Sequence, residues 1–427
     1  MPNKNLQLIL GLGATGYSCA RFFAQRRIPF AVNDSRANPP LLEKFKQEFP
    51  SVKFVGGEFS PELLQEAAQI IISPGISLSN PIIKPHLAKI IGDVEVFAQA
   101  VKKPVIGITG SNGKTTVTTL VGEMVKAAGK KVSVCGNIGK PVLTALLEDG
   151  DVDFYVVELS SFQLEVTFSL KLATAVLLNV TPDHMDRHGT IEAYLAAKQR
   201  IYLHCEKPVV NVDEPWLFEN LHLKNPIRIS ILNDNADWTL KDLDIKKLPL
   251  KGAHHYQNDL AALAMGDAVG LPRRTMMQVL ENFKGLEHRC QVVREFEGVT
   301  WFNDSKGTNV GATQTALNSV GGAISGKVVW IAGGQGKNAD FSILRPAISE
   351  HVSCAILYGQ DAKIIAAAIE SAVPVLFATS LEEAVKQAKA RAKQQDAVLF
   401  SPACASFDMF ANFEERGKCY QKIVAAL

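Results

Sequence analysis

Pro104-Val-Ile-Gly-Ile-Thr-Gly-Ser-Asn-Gly-Lys-Thr-Thr116 is the stretch on which the fold turns. Up to Thr109 it is a short apolar run of strand type, and a glycine turn follows. After Lys114, Val117, Leu120, Val121, Met124 and Val125 fall at i, i+3, i+4, i+7 and i+8, which predicts a helix with one buried face. A glycine loop at a helix N-terminus aims backbone N–H groups at one spot and lets an anion approach closely. Gly110, Ser111, Asn112, Gly113, Lys114, Thr115 and Thr116 are therefore candidate phosphate contacts, with Lys114 reaching the β/γ-phosphates and the Thr115 hydroxyl binding magnesium. The strict GxxxxGK[ST] pattern would need glycine where this chain has Ile108, so what stands is Gly110-x-x-Gly113-Lys114-Thr115. The plainer alternative is a Gly/Ser turn capping an ordinary helix. Strand, loop, Lys-Thr and amphipathic helix in that order favour ATP or GTP.

The same alternation recurs on both sides. Apolar runs end before Gly11, Gly110, Glu158, Thr181 and Gly333, and helical patterns follow, which predicts an α/β chain of parallel sheets wrapped by helices. In such sheets ligands gather at the carboxyl ends of the strands. A chain of 427 residues exceeds one ordinary core. The pattern restarts near 95 and 286, dividing the chain into a Rossmann-like block 1–95, a P-loop ATPase-like block 96–286 and a Rossmann-like block 287–427. At 47% hydrophobic and 21% charged residues, composition excludes a disordered or collagen-like chain. Lys+Arg 45 against Asp+Glu 43 leaves +2, with no basic stripe to suggest nucleic acid. No apolar run is long enough to insert into a membrane, and the opening residues enter a strand and glycine loop without a cleavage-type segment, so a cytoplasmic location is expected. The 7 cysteines contain no CxxC pair, which argues against zinc or a disulfide framework.

Further groups stand at strand ends. Glu158 closes Phe154-Tyr-Val-Val and is a second candidate holder of magnesium, a solvent-facing strand end being the alternative. Asp183, His184 and His188 follow the run that ends at Val180 and could ligate or shuttle protons. Lys198 shares a helix face with Tyr194, Ile201 and Tyr202, where its amine must snorkel, pair or lose its proton; a neutral amine can add carbon dioxide and become a carbamate. Gly11-Leu-Gly13-Ala-Thr-Gly16 with Asp34 has the dinucleotide fingerprint and supports a phosphate-bearing nucleotide over that loop, with Ser73-Pro-Gly75 able to complete the crevice. In the last block Asp304, Lys306, Lys337 and Ser406 sit at strand exits beside Arg289, which suits a small anionic substrate.

Thr109-Gly-Ser-Asn-Gly-Lys-Thr-Thr116, Glu158-Leu-Ser-Ser-Phe-Gln-Leu164, Asn179-Val-Thr-Pro-Asp-His-Met-Asp-Arg-His188, Tyr194-Leu-Ala-Ala-Lys-Gln-Arg-Ile201, His288-Arg289, Asn303-Asp-Ser-Lys-Gly-Thr-Asn309 and Ser401-Pro-Ala-Cys-Ala-Ser-Phe-Asp408, in that order, resemble the blocks of the Mur ligases over essentially the whole chain. The last two point to the D-glutamate-adding branch. The resemblance implies an amide ligase of cell-wall precursor synthesis: ATP phosphorylates the carboxylate of UDP-N-acetylmuramoyl-L-alanine, and the amine of D-glutamate attacks the acyl phosphate. It implies Lys114 and Thr115 at the ATP phosphates, Thr115, Glu158, His184 and a carbamylated Lys198 around magnesium, and Asn258, Arg289 and Asp304 holding adenine, phosphate and ribose. Thr308, Lys337, Ser406, Phe407 and Phe413 would form the D-glutamate pocket, with Lys306 beside the reacting groups. In this family the first glycine loop takes UDP instead of NAD, so Gly13, Ala14, Thr15, Asp34, Ser35, Arg36, Ser73 and Gly75 become uridine or diphosphate candidates. Asn137, Ser161 and His184 would face the muramoyl part.

Two positions depart from the family's pattern. His255 stands where the family usually has Asn and is given no ATP role, and Phe407 stands where related chains tend to have Leu. A monomer is expected, with closure of the domains to protect an acyl phosphate from water. The competing readings are a sister ligase or a folylpolyglutamate-type ligase, separated by amino-acid dependence. A nucleotide switch does not need the third block's cations, and an NAD oxidoreductase leaves the Gly-Lys-Thr loop unexplained.

Overall fold

The computed structural model describes residues 5–427. Three sheets carry the chain, each flanked by helices, giving the three-domain α/β architecture that the alternation predicts. The first sheet contains β1 (Gln7–Leu10), β2 (Phe30–Asp34), β3 (Phe54–Gly56), β4 (Gln69–Ile72) and β5 (Ile90–Ile91), all parallel in the order β3-β2-β1-β4-β5. The second contains β6 (Val105–Thr109), β7 (Val132–Gly136), β8 (Phe154–Glu158), β9 (Leu172–Leu177), β10 (Cys205–Asn211), β11 (Ile227–Ser230) and β12 (Trp238–Thr239). They too are parallel, in the order β12-β11-β10-β9-β6-β8-β7. The third contains β13 (Gln291–Phe296), β14 (Val299–Asn303), β15 (Val328–Gly333), β16 (Val352–Tyr358), β17 (Val375–Phe377) and β18 (Ala397–Phe400) in the order β13-β14-β18-β15-β16-β17, with β13 alone antiparallel.

Central strands such as β6 and β15 are buried on both faces, which is why they read as unbroken apolar runs rather than alternating ones. The chain forms two compact units: Met1–Asn179, Tyr194–Lys247 and Gln257–Asn282 make the first, and Val180–Ala193, Leu248–Tyr256 and Phe283–Leu427 the second.

Within the first unit the two sheets are tied together. Glu95 accepts from Phe168 N at 2.6 Å, Ser169 N at 2.9 Å and Ser169 Oγ at 2.6 Å, and Val166 packs into the core with Leu8 and Leu10. In the second unit the Trp330 indole donates to Ser401 O at 2.8 Å, fixing the loop that leaves β18. None of the seven cysteines is in a disulfide. Among the described residues no helix is long and apolar enough to cross a membrane.

Candidate functional site

In the first unit the chain leaves β6 and enters the helix Lys114–Ala127 through Gly113, at φ 81°. A Cβ there would stand 2.5 Å from Asn258 Oδ1, so both the left-handed backbone and the packing require glycine. Asn179, just beyond β9, braces the loop: Ser111 N donates to its carbonyl at 2.9 Å, Asn112 N to its Oδ1 at 2.9 Å, and its Nδ2 donates to Asn112 O at 3.1 Å. The Lys114 amine folds back onto Gly110 O at 2.7 Å and Ser111 O at 2.9 Å. Lys198, 1% exposed, donates to the same Gly110 O at 2.8 Å and lies 4.5 Å over the Tyr194 ring, whose hydroxyl is 3.3 Å from Ser111 Oγ. Two ammonium groups thus meet one carbonyl at the loop's base.

β8 pairs directly with β6, Ile108 opposite Glu158, so the Glu158 carboxyl emerges at the neighbouring strand end. Its Oε1 accepts from Asn137 Nδ2 at 2.8 Å, while its Oε2 is buried and makes no hydrogen bond among the described residues. A buried carboxylate oxygen left unsatisfied is costly unless something else fills its coordination. A hard divalent cation such as magnesium is a partner of the right charge and donor preference, so these residues fit one. Ser161 opens the next short helix, behind a capping box of Ser160 and Gln163. No group of three or more His, Cys, Asp or Glu able to hold a metal occurs among the described residues. Of the expected magnesium set, Thr115, Glu158 and Lys198 belong to the first unit and His184 to the second.

The first glycine loop also lies in the first unit. Gly13 caps the helix Ala14–Gln25, and Asp34 ends β2, directly beside β1. Asp34 is already engaged: it accepts from Leu12 N at 2.7 Å and Arg36 N at 2.9 Å, and the Arg36 guanidinium grips both oxygens at 2.9 and 2.7 Å. Burial pushes its acidity down, but Arg36 and the two N–H groups outweigh burial and hold its pKa below the ordinary value. Ser73 follows β4 and reaches Gly11 O at 3.3 Å through its Oγ. The uridine candidates Gly13, Ala14, Thr15, Asp34, Arg36 and Ser73 therefore gather at the carboxyl ends of three adjacent strands; Ser35 and Gly75 are exposed.

In the second unit a cavity of about 380 Å³ is lined by Asp183, His184, Thr308, Asn309 and Lys337, with Met185 and Ile343 among its apolar walls. Asp183 accepts from Asn309 Nδ2 at 3.1 Å and stands 3.7 Å from the Lys337 amine and 3.6 Å from His184 Nε2. His184 and Lys337 both have left-handed backbones, at φ 57° and 52°. Asp304, beyond β14, accepts from Ser401 Oγ at 2.7 Å and Cys290 N at 3.2 Å, and burial raises its pKa to about 6. The Lys306 amine lies 3.8 Å over the Phe413 ring. Ser406 is buried, Phe407 is largely exposed, and neither lines the cavity, nor does Phe413. The His255 and His254 rings lie 3.9 Å apart, tilted by 43°, both pulled below ordinary histidine by burial, to about 3 and about 4. Nothing local in the sequence marks Asn179, Tyr194 and Asn309 for these contacts, since their partners lie 67, 83 and 126 positions away.

Family models match along the chain: a Mur ligase MurD-like N-terminal domain over residues 5–94, a Mur ligase middle domain over 108–266 and a Mur ligase glutamate ligase domain over 288–404. A UDP-N-acetylmuramoylalanine--D-glutamate ligase of Coxiella burnetii is 49% identical, with 100% of both chains covered. Proteins of the same name from Legionella pneumophila and Pseudomonas savastanoi pv. phaseolicola are 44% and 45% identical, covering all of this chain and 100% and 99% of theirs. Among solved structures, a pseudomurein peptide ligase type C from Methanothermus fervidus aligns with TM-score 0.64 at 19% identity, covering 99% of each chain. MurF ligase from Thermotoga maritima in complex with ADP aligns with TM-score 0.64 at 18% identity, covering 100% of this chain and 97% of that one. The structural likenesses speak to the fold.

Proposed function

The chain belongs to the Mur ligase family, among its UDP-N-acetylmuramoylalanine--D-glutamate ligases, and from that premise we propose how its residues divide the work. It is an ATP-dependent ligase that adds D-glutamate to UDP-N-acetylmuramoyl-L-alanine in peptidoglycan precursor synthesis. A carboxylate oxygen is a poor leaving group, so ATP first converts the L-alanyl carboxylate to an acyl phosphate. The D-glutamate amine then attacks its carbon, and phosphate leaves with the bonding electrons. The observation that carries this reading is the glycine loop of residues 110–116 beside a buried Glu158 with one oxygen free of hydrogen bonds.

The loop N–H groups and Lys114 hold the β/γ-phosphates, and Asn258, packed on Gly113, contributes on the adenine side. Thr115 and Glu158, with His184 and a carbamylated Lys198, would hold magnesium, which when bound shields the charge of the transferring phosphoryl group. Carbamylation leaves Lys198 one N–H, enough to keep its bond to Gly110 O while adding an anion. Arg289 and Asp304 take phosphate and ribose, and Lys306 stands with the reacting groups. UDP occupies the first glycine loop with Gly13, Ala14, Thr15, Arg36 and Ser73, and Asn137 and Ser161 face the muramoyl part. In the second unit's cavity Lys337 and Thr308 suit the α-carboxylate of an amino acid, and Asp183 gives its ammonium an anion to face and a base for its proton. Ser406 and Phe413 hold the side-chain carboxylate. The protein works as a cytoplasmic monomer, which light scattering at the mass of one chain checks.

The test is phosphate release from ATP with UDP-N-acetylmuramoyl-L-alanine, with and without D-glutamate, against L-glutamate. Release that needs both substrates and ignores L-glutamate is expected. Hydrolysis indifferent to either amino acid would refute the ligase and favour a nucleotide switch.

A further inference from the structure

Arg416 is an unusual residue to find in the second unit's interior. It is 1% exposed, in the first turns of the helix Phe413–Ala425. Its guanidinium makes three bonds: Nε donates to Ser305 Oγ at 3.1 Å, one terminal nitrogen to Ser305 O at 2.8 Å and the other to Cys404 O at 3.1 Å. Every partner is neutral. Among the described residues no carboxylate lies within ion-pair distance, and Asp408 and Asp304 act on it only from further away. Burial accordingly pulls its pKa below the ordinary arginine value.

An arginine buried without a counter-ion is costly, and the hydrogen bonds satisfy its donors without neutralising its charge. The bonds themselves have a clear target. Ser305 sits in the loop that leaves β14 and carries Lys306 and Thr308; Cys404 sits in the loop that leaves β18 and carries Ser406 and Phe407. Ser305 Oγ passes the tie onward to Phe413 O at 2.8 Å, and Phe410 N donates to Ser406 O at 2.8 Å. One guanidinium therefore fixes both acceptor-side loops to each other and to the helix start. The nearby acid Glu415 is occupied, accepting from Ala411 N at 2.8 Å.

We propose that Arg416 is a positioning residue that selects an acceptor amino acid bearing a side-chain carboxylate: it sets the two loops and leaves its own charge to be completed by that carboxylate. The inference rests on the ligase reading above. The side-chain carboxylate of D-glutamate supplies the counter-ion that the protein withholds. At a buried site such a charge acts through a low effective dielectric, so it influences an anion that it does not touch. A neutral acceptor of the same size leaves the charge uncompensated.

The experiment compares wild type with Arg416→Met, which keeps the volume and removes the charge, and Arg416→Lys, which keeps the charge and loses the planar fork. KM is measured separately for D-glutamate, ATP and UDP-N-acetylmuramoyl-L-alanine, together with kcat/KM for D-glutamate against D-glutamine. For the Met variant the expected result is a rise of about tenfold or more in the KM for D-glutamate, with the other two KM values within about twofold, and a D-glutamate preference narrowed by about tenfold. The Lys variant recovers part of both. A folded Met variant with an unchanged D-glutamate preference, or with all three KM values moving together, overturns the proposal. Should the Met variant not fold, Ser305→Ala decides: it deletes the hydroxyl's bonds to Arg416 Nε and Phe413 O without removing the charge, and a KM for D-glutamate raised by about threefold supports the proposal while unchanged kinetics overturn it. Wild-type turnover indifferent to D-glutamate would overturn the functional reading itself, a result separable from any of these.

Discussion

Replacing Asp304 by Asn should make the protein more stable at neutral and higher pH while weakening its use of ATP. The carboxyl is buried, and burial raises its pKa to about 6 from an ordinary 3.8, the Ser401 and Cys290 hydrogen bonds offsetting only part of that cost. A folded-state pKa above the unfolded one means that the fold favours the protonated acid. Its contribution is fully present below about pH 4 and is lost as pH rises through about 6. The gap corresponds to a penalty of roughly 1–2 kcal/mol at about pH 5 and roughly 3 kcal/mol at about pH 8. Asn escapes it with little loss of bonding. Its Oδ1 can still accept from Cys290 N, and its NH₂ can donate to Ser401 Oγ, which then turns its proton to Thr313 Oγ1 at 2.9 Å. Denaturant midpoints of both proteins, measured at these two pH values, give the difference directly. The variant should gain on wild type by roughly 1–2 kcal/mol between them, and its KM for ATP should rise, because a neutral amide accepts a ribose hydroxyl less strongly than a carboxylate. A stability difference that is the same at both pH values would show that Asp304 is not ionised against the fold.

Three further outcomes follow from the first unit. Glu158→Gln should cut D-glutamate-dependent phosphate release by about a hundredfold or more, with an unchanged circular dichroism spectrum, since it removes the charge on a buried carboxylate oxygen beside the glycine loop that is available to a cation; near-normal turnover would remove Glu158 from the site. Lys198→Ala should lose activity that bicarbonate or short carboxylic acids partly restore, and the absence of rescue at any concentration would sink the carbamate. Gly113→Ala forces an L-residue to φ 81° and drives Cβ against Asn258 Oδ1, so ATP affinity should fall by about tenfold to a hundredfold; unchanged nucleotide binding in a calorimeter would mean that the loop does not hold phosphate as described.

What could be read from the sequence was what is local in the chain. Strand, glycine turn and helix around residues 104–127 follow one another directly, and their periodicities are visible without any knowledge of partners. Glu158 was legible for a related reason: a short apolar run ending in a carboxylate places that group at a strand mouth, whichever strand lies beside it. Asp34 shows the limit even of local reading. Its spacing from the glycine loop suits a ribose, yet Arg36, two residues on, already grips both of its oxygens. The groups that escaped are those whose meaning depends on residues far away. Asn179 braces a loop 67 positions earlier, and Asp183 finds its partners at Asn309 and Lys337, which is why Val180–Ala193 belongs to the second unit although β9, just before it, belongs to the first. Arg416 is the extreme case. On its own helix it reads as one more charged residue of a solvated face. Only the convergence of Ser305 and Cys404 on it, from 111 and 12 positions away, turns it into a buried cation without a counter-ion. Burial of that kind is what separates a charge that merely solvates a helix from one that shapes a binding pocket.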